Sequence, residues 1–163
     1  MCPDVVVDYV GTDVWNATAY RVLSVAYKVS ASVRNHVAAA KMAHLLWSFD
    51  RLLTGFLEEI YTKAESGYKP PEPVTPEQIA AAIQTLRQIH RAVEGIYVGL
   101  KAVGMANRSL IGGPLSSLRL RADDILDLAE SLELAINPDV DSIFEKSLEE
   151  LKRGQTFDLE SIK

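Results

Sequence analysis

The sequence has few of the features that would assign it to a class directly. Its 163 residues include one cysteine, Cys2, so an internal disulfide is excluded and a reducing compartment is expected. No basic segment followed by an apolar stretch opens the chain, so we expect no secretory signal and a cytoplasmic protein. The most apolar stretch, residues 93–106, is too short to span a bilayer and contains Lys101. We therefore expect no membrane association.

Sequence motifs of catalysis are also scarce. Cys2 has no histidine near it in the sequence, and residues 112–114 (GGP) lack the lysine and the preceding strand of a phosphate-binding loop. A net charge of −5 disfavours a nucleic-acid-binding surface. We therefore expect no catalytic residue, no cofactor and no nucleic-acid partner.

Helical periodicity dominates what the sequence does contain. A hydrophobic content of 48% and a charged content of 24% are typical of one globular domain. The clearest helix covers residues 75–105, where Thr75 is the N-cap, Pro76 takes the first position and Gln78 completes a capping box. Apolar residues then recur three and four positions apart, which places them on one helix face. They are Ile79, Ala82, Leu86, Ile89, Val93, Ile96, Leu100 and Val103.

The other segments extend this pattern into an all-α antiparallel helical bundle in a single domain, residues 1–163. In chain order we predict an N-terminal arm (1–12), helix one (13–66), a proline-rich linker (67–74), helix two (75–105), helix three (113–137), a shorter helix four (139–153) and a tail (154–163). Helix one has no glycine or proline before Gly55. Its apolar seam changes phase near residues 35–42, so either one long helix drifts and meets different partners at its two ends, or the chain bends there. We favour one long helix, with or without a kink.

Two shorter features bear on packing. Residues 4–10 (DVVVDYV) have strand-like composition, and an edge strand, a docking arm and a lead into helix one all remain open. Gly95 and Gly99 lie inside helix two, where each glycine costs about 1 kcal/mol. Close approach of another helix is the simplest reason for this pair.

A set of acidic and histidine side chains is the candidate for metal chemistry. Residues 123–127 spell DDxxD, which resembles the motif of helical prenyl-diphosphate enzymes, whose aspartates hold Mg²⁺ against a diphosphate. The imidazole at position 90 and the carboxylate at position 94 are one helical turn apart, so both can reach the same metal ion. The aspartates lie opposite the apolar seam, so we predict a solvated face and no bound metal. The candidates are Asp123, Asp124, Asp127, Glu130, His90 and Glu94.

Basic residues recur about every seven positions along predicted helix one. They are Arg21, Lys28, Arg34, Lys41 and Arg51. A stripe of this kind can follow nucleic-acid phosphates, or it can be the solvated face of a long helix. A third interpretation is that the acidic face of helix three or the acidic tail complements it, within one chain or between copies.

The C-terminal segment, SLEELKRGQTFDLESIK (147–163), carries sparse apolar residues on a polar background. It resembles the C-terminal tails of bacterial antitoxins, which wrap their toxin. That resemblance implies a protein partner held by Phe157, Leu159 and Ile162, and the alternative is a tail folded over its own bundle.

These observations favour a non-catalytic protein–protein interaction or regulatory protein that forms homo-oligomers. One alternative is a metal-dependent phosphate-ester or diphosphate hydrolase that uses the acidic face of helix three. A second alternative is an antitoxin-like or nucleic-acid-associated adaptor.

Overall fold

The computed structural model describes residues 7–136, which form an all-helical bundle. This confirms the predicted fold class. The four long helices are α1 (Asp13–Arg34), α2 (Ala39–Glu65), α3 (Pro76–Ala102) and α4 (Ser109–Ile136). Predicted helix four and the tail, with Phe157, Leu159 and Ile162, lie outside the described residues, as do residues 1–6. Within residues 7–136, no helix combines the length and the apolar character that crossing a membrane requires.

The four helices form a ring in which α1 and α4 occupy opposite corners. Helix α1 packs on α2 and α3, and α4 packs on the same two helices. Asp50 of α2 contacts Ser117 of α4, and Tyr61, farther along α2, lies near Asp124, farther along α4. Helices α2 and α4 therefore run in the same direction. The bundle prediction is confirmed, whereas a uniformly antiparallel arrangement is not.

Predicted helix one is two helices, so the prediction of one continuous helix over 13–66 is wrong. Helix α1 ends at Arg34 and α2 begins at Ala39. The chain turns at His36, whose φ of 53° lies in the left-handed region. The His36 amide donates to the Val33 carbonyl (3.2 Å) and the Val37 amide to the Ser32 carbonyl (3.5 Å). This bond pattern is a Schellman motif, and it usually requires glycine at the left-handed position. Because the chain reverses direction at this turn, the apolar seams of α1 and α2 can pack on each other.

Replacing His36 with glycine should stabilise the protein by about 1 kcal/mol. The native backbone at this position has a positive φ, and a residue with a Cβ atom is strained there. Urea unfolding followed by circular dichroism measures the difference. His44→Gly is the contrasting variant, because His44 lies inside α2, where glycine should destabilise. A His36→Gly protein less stable than the wild type would contradict the left-handed turn.

Helix α3 begins as predicted, whereas α4 begins earlier than predicted. The Gln78 amide donates to the Thr75 hydroxyl (3.2 Å) and the Thr75 amide donates to Gln78 Oε1 (2.7 Å), which confirms the capping box. Helix α4 starts at Ser109 rather than at 113. Ile111 is fully buried, and its burial extends the helix through a Gly-Gly-Pro sequence that is typical of a turn.

The N-terminal turn packs into the same core. Residues 7–9 are helical, so a strand interpretation is wrong for that part of 4–10. Tyr9 and Val10 are buried. Gly11 follows with a φ of 98°, and a Cβ atom built there would lie 3.0 Å from Val74 Cγ1 and 3.3 Å from the carbonyl oxygen of Gln78. The chain before α1 therefore rests directly on the start of α3.

A buried polar pair joins α2 to α4. Asp50 is 8% exposed and is the one charged residue among the buried ones in residues 7–136. The Ser117 hydroxyl donates to Asp50 Oδ2 at 2.9 Å. Asp50 Oδ1 is buried without a hydrogen-bond partner in the described part of the chain. The single serine hydroxyl is therefore the main compensation for the buried carboxylate.

Candidate functional site

A polar seam runs along the contact between α3 and α4. The α3 positions beside its buried stripe hold polar side chains, and they face polar side chains of α4 across the interface. Arg87 of α3 pairs with Glu133 of α4. Because the buried stripes set the register between the helices, they also determine which polar groups meet.

Three potential metal ligands meet near the middle of this seam. They are His90 and Glu94 of α3 and Asp123 of α4, and one ligand atom from each lies within 4.8 Å of the others. His90 Nε2 is 3.7 Å from Asp123 Oδ1, which is longer than a hydrogen bond. His90 and Glu94 are half-buried and Asp123 is exposed. The cluster is thus reachable from solvent, and its donor atoms are not engaged with one another.

Arg119 lies beside this cluster on α4. Its guanidinium is 3.5 Å from Glu94 Oε2 and lies over the ring of Tyr97, 3.8 Å from the ring centroid. A cation at this distance over an aromatic face is attracted by the ring. Arg119 therefore lies where it can orient the Glu94 carboxylate.

The other predicted metal candidates lie elsewhere on α4. Asp124 Oδ2 accepts a hydrogen bond from Arg121 at 3.1 Å. Burial raises the pKa of Tyr61 on α2, and the charges of Asp124 and Asp127 raise it further. These two carboxylates therefore lie near enough to α2 to affect Tyr61, and Asp127 is exposed to solvent. Glu130 is exposed. The structure brings Asp123 together with His90 and Glu94, and it does not bring Asp124, Asp127 or Glu130 into that cluster.

The outward side of α1 is a second candidate surface. Tyr20 and Tyr27 are 73% and 61% exposed, and they lie seven residues apart, on one face of the helix. We name this surface the basic face: Tyr20, Arg21, Tyr27, Lys28 and Arg34, all exposed. Sequence reasoning identified its cations and missed its tyrosines, although their seven-residue spacing was visible. The break after α1 separates these cations from the α2 part of the predicted basic stripe.

The outward side of α4 has the opposite charge. Leu120 and Leu134 are 60% and 46% exposed. Asp127 lies midway between them, seven residues from each, and Glu130 is also exposed. We name this surface, Leu120, Asp127, Glu130 and Leu134, the acidic face. It repeats every seven residues, as the basic face does.

A groove of about 540 Å³ opens at the end of the bundle where α1 and α3 begin. Residues 70–74 of the proline-rich linker and the N-cap Thr75 form one wall, and Asp13 and Glu72 add two carboxylates. Both helix N-termini attract negative charge, and nearby acidic side chains already supply it. Tyr68 lines this groove, and its ring lies edge-on to the ring of Tyr9 with the centroids 5.5 Å apart. Burial and then Glu59 raise the pKa of the Tyr9 phenol.

No protein-family model, curated protein or solved structure matches this chain. The fold and the surfaces define it as a helical-bundle protein with two oppositely charged outward faces and one mixed histidine–carboxylate cluster.

Proposed function

We propose that this is a non-catalytic, cytoplasmic interaction protein that associates with itself by packing the basic face of one copy on the acidic face of another. The observation that carries the proposal is the complementarity of these two faces. Each pairs large exposed apolar side chains with charges of one sign, and each repeats every seven residues. The cytoplasmic location is supported by the single cysteine.

The repeat length supports helix–helix packing between copies. Side chains seven residues apart lie along one shallow stripe, which is the geometry of helices that cross at a small angle. The exposed rings of Tyr20 and Tyr27 supply apolar area, and Leu120 and Leu134 supply it on the other face. Flanking cations and carboxylates then fix which faces pair, because like-charged faces repel.

The corner positions of α1 and α4 favour contact between copies over contact within one chain. The two helices lie diagonally across the bundle, separated by α2 and α3, so their outward faces point in opposite directions. A contact between two different faces is head-to-tail, and each added copy leaves one face of each kind free. We therefore expect growth beyond a dimer rather than a closed pair.

Charge should affect the rate of association and the choice of partner face more than it affects the free energy of the contact. Exposed ion pairs contribute about 0.2–1 kcal/mol each, and physiological salt screens them over about 8 Å. A single helix-on-helix contact also belongs with small interfaces, which are weak and transient. We therefore expect a reversible assembly that weakens as salt concentration rises.

Both alternatives have less support from the described residues. A hydrolase acting through Asp123, Asp124 and Asp127 would need these carboxylates around one ion, and in the described residues Asp124 and Asp127 do not join Asp123 in its ligand cluster. A nucleic-acid adaptor would use the continuous stripe of cations that the break between α1 and α2 divides.

Charge-reversal variants test the proposal. The basic-face variant is Arg21→Glu/Lys28→Glu, and the acidic-face variant is Asp127→Lys/Glu130→Lys. Each variant keeps one intact face, so each alone should be monomeric in sedimentation velocity at concentrations where the wild type assembles. An equal mixture should assemble again, because the two reversed faces are also opposite in charge and both kinds of contact are available between the two variants.

The matched control is Lys41→Glu/Arg51→Glu, which makes the same charge change at exposed positions of α2. It should assemble like the wild type. Wild-type assembly by the basic-face variant alone, or a mixture that stays monomeric, would contradict the pairing of these two faces.

A further inference from the structure

We propose that His90, Glu94 and Asp123 bind one divalent transition-metal ion, with Zn²⁺ as the ion that best fits the donors. The site lies in the polar seam between α3 and α4. Its three ligands belong to neither outward face, although Asp123 adjoins the acidic face, and the site does not depend on self-association.

The spacing of the ligand atoms fits a small ion after modest side-chain rotation. Zn²⁺ bonds of about 2.1 Å in a tetrahedron separate neighbouring ligand atoms by about 3.4 Å. His90 Nε2 and Asp123 Oδ1 are already 3.7 Å apart. All three ligand atoms lie within 4.8 Å of one another, and a rotation about the side-chain torsions of Glu94 brings its carboxylate the remaining distance.

The backbone holds the ligands in place before any ion binds. His90 and Glu94 are one turn apart on α3, which places both side chains on the same side of the helix. Asp123 enters from α4, whose register on α3 is fixed by the buried stripes. A site shared by two packed helices needs little backbone rearrangement to bind metal.

The donor types select the ion. One imidazole nitrogen and two carboxylate oxygens suit Zn²⁺ and similar ions such as Co²⁺, whereas Mg²⁺ prefers oxygen ligands and water throughout. Two carboxylates balance the charge of a divalent ion while the imidazole is neutral. Three protein ligands leave a fourth position for water, and the exposure of Asp123 gives solvent access.

Arg119 is the positioning residue for this site. It lies over the Tyr97 ring and 3.5 Å from Glu94 Oε2, so it can hold one carboxylate oxygen while the other binds the ion. Outer groups of this kind orient metal ligands and change affinity by tenfold or more. The positive charge of Arg119 also repels the ion. The affinity of the site for Zn²⁺ should therefore be lower than it would be beside a neutral side chain.

Titration of the full chain with Zn²⁺ in a calorimeter, and with Co²⁺ in a visible spectrometer, tests the site. We expect one ion per chain, a rise in melting temperature with Zn²⁺, and the visible absorption of four-coordinate Co²⁺. His90→Ala and Asp123→Asn should each weaken Zn²⁺ binding at least tenfold. Both positions reach solvent, and circular dichroism will verify that each variant is folded.

Matched controls separate this site from adventitious binding and from self-association. His44→Ala removes an exposed histidine of α2, and Cys2→Ser removes the one thiol; both should bind Zn²⁺ like the wild type. The basic-face variant, whose two changes lie on α1, should also bind Zn²⁺ normally. No binding by the wild type, or unchanged binding by His90→Ala, would overturn the proposal.

Discussion

Replacing Gly11 with alanine should lower the free energy of unfolding by about 3 kcal/mol, and the loss has two sources. The φ of 98° places Gly11 where a residue with a Cβ atom is strained, at a cost of about 1–2 kcal/mol. The new Cβ would also lie 3.3 Å from the carbonyl oxygen of Gln78 in α3. Overpacking of this kind costs about 1–3 kcal/mol, since backbone cannot move aside easily.

The matched control for Gly11 is Gly95→Ala in α3. A Cβ atom at Gly95 would meet nothing within 4 Å, so alanine should stabilise the helix by about 0.5–1 kcal/mol. Urea unfolding of the two variants gives opposite signs if the N-terminal turn rests on the start of α3. A Gly11→Ala protein as stable as the wild type would contradict that contact.

Replacing Ser117 with alanine should cost about 2 kcal/mol. The Ser117 hydroxyl donates to Asp50 Oδ2 at 2.9 Å, and the other Asp50 oxygen has no partner in residues 7–136. Removing the donor leaves a buried carboxylate uncompensated, which costs more than the hydrogen bond contributes by itself.

A double variant distinguishes loss of the donor from loss of packing. Asp50→Leu/Ser117→Ala removes both polar groups and should regain most of the lost stability, because an apolar pair of similar volume leaves nothing unsatisfied. Ser116→Ala changes the exposed neighbour and should stay within about 0.5 kcal/mol of the wild type. Ser117→Ala with wild-type stability would show that Asp50 is compensated in another way.

Local signals in the sequence predicted α3 well. Its N-cap, capping box and apolar stripe all lie within a few residues of each other, so neighbouring side chains determine them. Of the stripe residues, Val103 alone is exposed, since the helix ends at Ala102. The break before α2 was not predictable in this way, because a histidine occupies the left-handed position where glycine is the usual signal.

The candidate site was predictable only in part. The spacing of His90 and Glu94 was visible in the sequence, since both lie on one helix. Asp123 is also a candidate from the sequence, but the DDxxD motif associates it with Asp124 and gives no sign that it meets side chains of α3. Which neighbour it meets depends on the register of α4 against α3, and core packing sets that register. Gly99 shows the same limit: a Cβ there would lie 3.1 Å from Val33, as close approach predicts, whereas Gly95 has open space.

The most direct test of self-association is the mass of the wild-type protein in solution. Sedimentation velocity over a hundredfold range of concentration, at low and at high salt, measures it without any substitution. The account predicts a mean mass that rises with concentration past the dimer at low salt and falls toward the monomer at high salt. A monomer under every condition, or an assembly whose mean mass does not change with salt concentration, would contradict the pairing of the basic and acidic faces.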